Sequence, residues 1–267
     1  MCGIVGYVGP QDSLDVVLEG LRRLEYRGYD SAGVAVLADG RLSTAKKAGK
    51  LANLEKELAD AALPAATIGI GHTRWATHGG PTDRNAHPHV SADGTVAVVH
   101  NGIIENFPAL RDECEKAGVE FTSETDTEVA AHLLAQAYAA APEGAGRLAE
   151  AMRTVCRRLE GAFTLVATSA GEPDTLVAAR RSSPLVVGIG EAVDGTAEYF
   201  LGSDVAAFIA HTREARELGQ DQVVEIDRNR GLTVTDFDGN AVEPTAYTVD
   251  WDAAAAEKGG YDWCMLK

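Results

Sequence analysis

Strands and helices occur along this chain in clusters, and that order excludes most parallel-sheet architectures. Strand-like apolar runs lie at residues 4–8, 34–37, 68–70, 96–99 and 162–167. Shorter ones follow at 176–179, 185–189, 199–202, 222–226 and 233–237. Helical periodicity is confined to residues 14–24 and 51–58, then to three successive segments at 106–117, 125–141 and 146–159. A doubly wound fold needs a steady strand–helix–strand rhythm, which is missing here. The pattern predicts α+β layers built on antiparallel sheets. No internal repeat and no long linker divides the 267 residues, so one domain is expected.

The first strand begins almost at the first residue. Termini are usually polar and frayed, yet Met1-Cys2-Gly3-Ile4-Val5-Gly6-Tyr7 leads straight into apolar sequence. If Met1 is removed, Cys2 carries a thiol and a free α-amino group on one carbon. Their ordinary pKa values are about 8.5 and about 7.7–8.0, so a nucleophile and a general base would share a residue. Taken alone, Cys2 reads as an inert terminal thiol, and the rest of the chain has to argue otherwise.

Composition narrows the partners. The chain has 24 basic and 40 acidic residues, a formal net charge of −16, which argues against nucleic acid or an anionic membrane surface. No apolar run reaches 18 residues and no basic-then-apolar leader opens the chain, so neither a membrane helix nor a signal peptide is expected. Cys2, Cys114, Cys156 and Cys264 are widely spaced without CxxC. Cys114 and Cys156 read as buried helix-borne thiols, and a cytoplasmic location is expected.

Asp12 and Ser13 stand where a cap would start the first helix, and Asp39-Gly40 marks a hairpin. Thr125-Asp126-Thr127-Glu128 has capping-box spacing. Five of the seven histidines (His72, His78, His87, His89, His100) fall between residues 72 and 100. They raise a zinc hydrolase as an alternative, but no HExxH occurs and no carboxylate stands at ligand spacing among them. No metal is therefore expected.

Three further features could carry chemistry. Arg74 could clamp a carboxylate, with Thr77 adding a hydroxyl; equally, Arg74 could form an internal ion pair and Trp75 pack in the core. Asn101-Gly102, at the exit of an apolar strand, could present an amide and a backbone N–H to one oxygen, or could be an ordinary turn. Asp126 at a helix start satisfies the macrodipole, or could accept a ligand ammonium group. Together a thiol, a carboxylate binder, an oxyanion donor pair and an ammonium acceptor suit cleavage of an amino-acid side-chain amide, which points to glutamine.

At these residues the chain resembles the class II glutamine amidotransferases, members of the N-terminal-nucleophile hydrolases. The resemblance rests on Cys2-Gly3-Ile4-Val5-Gly6, residues 24–33 (LEYRGYDSAG), residues 71–79 (GHTRWATHG) and Asn85-Ala86-His87-Pro88-His89. It continues through residues 100–106 (HNGIIEN), residues 123–128 (SETDTE) and Leu201-Gly202-Ser203-Asp204. It implies a four-layer αββα sandwich with two stacked antiparallel sheets, and no cofactor. It implies Cys2 as nucleophile, Asn101 and Gly102 as oxyanion hole, Arg74 as α-carboxylate binder with Thr77 and His78 beside it, and Asp126 as α-ammonium contact. By the same resemblance Arg27 orients the terminus and Trp75 shapes or gates the ammonia passage.

The resemblance is strongest to members that pass ammonia to fructose 6-phosphate, making glucosamine 6-phosphate for the hexosamine pathway. In those, a sugar-isomerase half follows in the same chain and the full-length enzyme is a homo-oligomer. Residues 1–250 are thus expected to be the amidotransferase domain and 251–267 the start of a linker to that half. Glutamine hydrolysis to glutamate and ammonia is expected, without amino-sugar synthesis by this piece alone. The glutaminase domain of a sibling amidotransferase, and a catalytically dead binding module, are the alternatives.

Overall fold

The computed structural model describes residues 2–192 and 195–250; the expected linker at 251–267, with Cys264, lies outside the described residues. Fourteen strands and five α-helices are present among them. The strands are β1 (Gly3–Val8), β2 (Ser31–Ala38), β3 (Arg41–Ala48), β4 (Ile68–Arg74), β5 (His89–Val90), β6 (Val96–Ile104), β7 (Gly161–Ser169) and β8 (Glu172–Arg181). They continue with β9 (Val186–Ile189), β10 (Tyr199–Gly202), β11 (Glu214–Glu217), β12 (Gln222–Asp227), β13 (Gly231–Asp236) and β14 (Thr245–Thr248). The helices are α1 (Ser13–Leu24), α2 (Leu51–Asp60), α3 (Phe107–Lys116), α4 (Asp126–Ala140) and α5 (Arg147–Cys156).

All strand pairing is antiparallel. One sheet has the order β14-β11-β9-β10-β1-β4-β2-β3, the other β13-β12-β8-β7-β6-β5. Side-chain alternation builds the layers. In β1, Val5 and Tyr7 pack against α1 with Val17, Leu21 and Phe200. Ile4 and Val8 point the other way and meet Ala97, Val99, Val166 and Leu176 of the opposing sheet. In β6 the same alternation sends Val96 and Val98 onto α4 and α5, against Val129, Leu133 and Met152. Three apolar cores therefore separate four layers, helix–sheet–sheet–helix. The expected αββα sandwich is the observed fold.

Sheets buried on both faces explain the near-continuous apolar runs. Close approach of α1 depends on glycine: a Cβ on Gly71 would lie 2.3 Å from Val17 Cγ1. Asp12 caps α1 by accepting from Leu14 N at 2.9 Å, as its position predicts. Asp39 and Gly40 both take positive φ at the β2–β3 hairpin.

Two expectations change. Thr125 accepts from Glu128 N at 3.3 Å, but the Glu128 carboxylate does not close a capping box on Thr125. It accepts instead from the backbone N–H and hydroxyl groups of Thr122 and Ser123, at 2.6–2.8 Å, and fixes the loop before α4. Asn101-Gly102 is not the exit of its strand, because β6 runs on to Ile104, paired with β7 down to Gly161. A partner strand that continues supplies hydrogen bonds that outweigh the local turn preference of Asn-Gly.

Candidate active site

Cys2 precedes β1, a central strand flanked by β4 and β10. Side chains tie this terminus down. Gly3 N donates to Thr73 Oγ1 at 3.1 Å, and Ile4 N to Ser203 Oγ at 3.1 Å. The Cys2 carbonyl accepts from Arg27 Nη1 and from Asn101 Nδ2, both at 3.3 Å. Arg27 also donates to Ser203 Oγ at 3.2 Å and pairs with Asp204 at 2.7 Å. The terminus is held by four side chains from four parts of the chain, which overrides the usual fraying.

The Cys2 thiol is half-buried, and Sγ accepts from Trp75 N at 3.1 Å. Burial raises the thiol above its ordinary pKa; the Trp75 N–H and the charge of Arg74 act in the opposite direction. The thiol is therefore mostly protonated near neutrality and needs a base to become a nucleophile.

β4 delivers two functional side chains to the space between the sheets. His72 and Arg74 share a face, opposite the glycines that admit α1. Arg74 is buried, and its guanidinium donates to the carbonyls of His78, Gly79 (3.0 Å) and Gly80 (3.3 Å). The structural alternative drawn from sequence does not hold: Arg74 holds backbone carbonyls where an ion pair was conceivable, and Trp75 is 57% exposed where a core position was conceivable. Trp75 meets Cys2 through its backbone. Thr77 is exposed on the same loop, and His78 packs edge-on against Phe107 at 4.7 Å.

Asp30, which the sequence reading left without a role, anchors the base of that loop. Its carboxylate accepts from Ala76 N at 2.5 Å, and its own N–H donates to Arg74 O at 2.7 Å. A carboxylate in a glycine-bracketed polar turn was the available signal; its partner 46 residues away was not.

From the second sheet, Asn101 faces the terminus with its carboxamide between two partners, Cys2 O and His72 Nε2 (2.9 Å). Gly102 has φ +122°, and a Cβ there would lie 2.0 Å from Ala162 O of β7. Asp126, buried at the start of α4, accepts from Ile104 N at 3.0 Å; His78 Nδ1 stands 3.9 Å from its carboxylate and His100 Nδ1 3.8 Å. Asp126 and Asp30 act electrostatically on Arg74, and Arg74 on Cys2. Cys2, Trp75, Arg27 and Asn101 are thus in direct contact, with Arg74, His78 and Asp126 forming the adjoining wall.

The histidine cluster is a packed feature. His72 and His87 rings lie 4.4 Å apart, His87 and His89 5.0 Å, His87 and His100 6.5 Å. Burial drives all four below the ordinary imidazole pKa, so they are neutral. Among the described residues no set of three or more His, Cys, Asp or Glu side chains is placed to hold a metal ion. No helix among them is long and apolar enough to cross a membrane.

Residues 72–210 match a family described as glutamine amidotransferase domain. The chain belongs to that family. This amidotransferase domain is 69% identical over its full length to glutamine–fructose-6-phosphate aminotransferase [isomerizing] of Streptomyces coelicolor, covering 42% of that protein. It is 59% identical to the Mycobacterium leprae enzyme of the same name, covering 43% of it. The chain thus spans less than half the length of these curated relatives. Among solved structures it resembles the glutamine phosphoribosylpyrophosphate amidotransferase of B. subtilis, with a TM-score of 0.69 and 25% identity. That match covers 90% of this chain and 50% of the other.

Proposed function

We propose that the domain hydrolyses L-glutamine to L-glutamate and ammonia through a γ-glutamyl thioester on Cys2, once Met1 has been removed. The observation that carries this reading is the Cys2 thiol held against Trp75 N, with the Asn101 amide nitrogen aimed at the Cys2 main chain. The freed α-amine takes the thiol proton, and sulfur attacks the γ-carboxamide carbon. The negative oxygen that develops is stabilised by Asn101 Nδ2 and the Gly102 N–H. The carbon–nitrogen bond breaks, nitrogen leaves as ammonia with the proton from the α-ammonium group, and water then cleaves the thioester to glutamate.

Arg74 and the loop at 77–78 hold the substrate α-carboxylate, and Asp126 its α-ammonium group. Arg27 keeps the terminus in place, and Trp75 shapes or gates the passage for ammonia. The name shared by the relatives, and their greater length, support fructose 6-phosphate as the acceptor in a longer protein with a sugar-isomerase half as partner; glucosamine 6-phosphate as product and a homo-oligomeric assembly rest on the resemblance of the motifs alone. Free buried thiols at Cys114 and Cys156 support a cytoplasmic setting.

Intact-mass analysis after treatment with a glutamine-like electrophile tests the reading in one measurement. Loss of Met1 and a single adduct mapping to Cys2 are expected, together with ammonia release from glutamine. An adduct on Cys114 or Cys156, or no ammonia release, would refute it.

Asp126→Asn separates binding from chemistry. The amide oxygen still accepts from Ile104 N, so the fold is retained. Losing a charge-assisted hydrogen bond of about 1.5–3 kcal/mol raises KM for glutamine about 10- to 150-fold, with kcat within about threefold. A fall in kcat at unchanged KM would place Asp126 in the chemical step instead.

A further inference from the structure

A carboxamide has a donor end and an acceptor end of nearly the same shape, so the proposed role of Asn101 depends on which way round its amide lies. As placed, Nδ2 faces Cys2 O at 3.3 Å and Oδ1 faces His72 Nε2 at 2.9 Å. Reversed, the amide would set oxygen against the Cys2 carbonyl and against the developing oxyanion, with no donor for either.

The constraint comes from His72. It lies on β4, pairs with Ile4 of β1 and is completely buried, its ring packed on His87. Burial, with neighbouring His100 and Arg74 adding to it, outweighs the ring's hydrogen bonds to Asn101 and to the His100 backbone and pushes its pKa down to about 3. The ring is therefore neutral and carries one N–H. Its Nδ1 has no hydrogen-bond partner among the described residues. With the hydrogen on Nε2, both Asn101 contacts are hydrogen bonds and one ring acceptor is unpaired. With the hydrogen on Nδ1, a buried N–H is orphaned and Asn101 must reverse, which leaves oxygen against the Cys2 carbonyl. The first arrangement has one more hydrogen bond and no acceptor–acceptor contact, so it wins.

We propose that His72 is a positioning residue whose Nε2–H holds the Asn101 carboxamide with its donor end toward the reacting carbonyl. This rests on Asn101 being an oxyanion donor. Groups that orient a reacting group without touching substrate typically contribute about 10- to 100-fold in activity. The orientation acts on the transition state and leaves glutamine binding unchanged.

The test is steady-state glutamine hydrolysis by this chain as wild type, His72→Leu, His72→Gln, Asn101→Ala and the His72→Leu/Asn101→Ala double variant. His72→Leu should lower kcat about 10- to 100-fold with KM within about threefold. His72→Gln, whose amide nitrogen reaches the Nε2 position as a donor, should recover kcat to within about threefold of wild type. The double variant should be no slower than Asn101→Ala alone, since the two act as a unit. Unchanged kcat in His72→Leu, no recovery in His72→Gln, or multiplied losses in the double variant overturns the proposal. Nitrogen-15 NMR of the wild-type imidazole reads the tautomer even if the leucine variant does not fold, and an Nδ1–H ring overturns it too. Unchanged kcat in Asn101→Ala instead overturns the oxyanion reading itself.

Discussion

Cys2→Ala is expected to abolish glutamine turnover, by about 10⁴-fold or more, while the domain stays folded. A side chain that is half-buried and meets only the Trp75 main chain through sulfur, accepting from its N–H at 3.1 Å and donating to its carbonyl at 3.8 Å, contributes little to stability, so the melting temperature should move by a few degrees at most. A chain that retains Met1 should be almost as inactive with its thiol intact. The Cys2 nitrogen is then an amide without a basic lone pair, and burial has already raised the thiol, so no group at the nucleophile removes its proton. For the processed chain the sign of the pH dependence follows. Below about pH 7 the α-amine, with an ordinary pKa of about 7.7–8.0, binds a proton and kcat/KM falls; through that range it rises. Ammonia release by wild type, Cys2→Ala and a Met1-retaining form, each checked by intact mass and thermal melting, decides the matter. Turnover by the Met1-retaining form at the wild-type rate would remove the α-amine from the mechanism.

Gly102→Ala is expected to damage catalysis and stability together. A Cβ would stand 2.0 Å from Ala162 O in the paired strand, and φ of +122° is strained for any residue with a side chain. The neighbour is backbone in the middle of a ladder, so β6 must move away from β7. Backbone strain alone costs about 1–3 kcal/mol. With the clash added, a fall in melting temperature of about 6–12 °C is expected for a domain of this size. The displaced N–H should reduce kcat about 10²- to 10³-fold. Gly118→Ala is the control. Its φ is +87° but nothing lies within 4 Å of the added Cβ, so a smaller loss of stability and a wild-type kcat are expected. Equal behaviour of the two variants would show that φ, and not the approach of β7, makes Gly102 matter.

Much of the architecture is legible in the sequence because both sheets are buried on both faces. Runs such as Val96-Ala97-Val98-Val99 are apolar at every position and stand out without an alignment of periods. Where burial stops, legibility stops. β11 (Glu214–Glu217) is charged at three of its four positions and β14 (Thr245–Thr248) is exposed throughout. Neither was expected as a strand, because polar strands at a sheet edge or next to it lack an apolar signal and are strands only through their neighbours. The extension of β6 to Ile104 was missed for the same reason. Asn101 is only part-buried and Gly102 and Ile103 are exposed at the end of the ladder, and only the continuing β7 keeps them extended.

The candidate site divides along a similar line. The residue types were visible: a thiol beside the terminus, a guanidinium and imidazole on one loop, an amide before a glycine, a carboxylate at a helix start. Their meaning depended on distances the sequence does not carry. Asp30 and Ser203 appear in the matched motifs as polar residues without assignment, and become anchors only when their partners, up to 199 residues away, are in view. His72 was one of five clustered histidines with a metal as the competing explanation. Its actual partner is an amide on the opposite sheet.

What the sequence by itself determined is the set of layers and the chemical inventory, since both follow from which side chains must leave water and which react. The tertiary structure alone decided direction: that the Cys2 carbonyl receives Arg27 and Asn101 together, that Arg74 curls its own loop, and that Asn101 presents its nitrogen and not its oxygen to the terminus. Hydrogen bonds depend on orientation over a few tenths of an ångström. That precision arises only when two sheets, joined by no local sequence signal, are packed face to face.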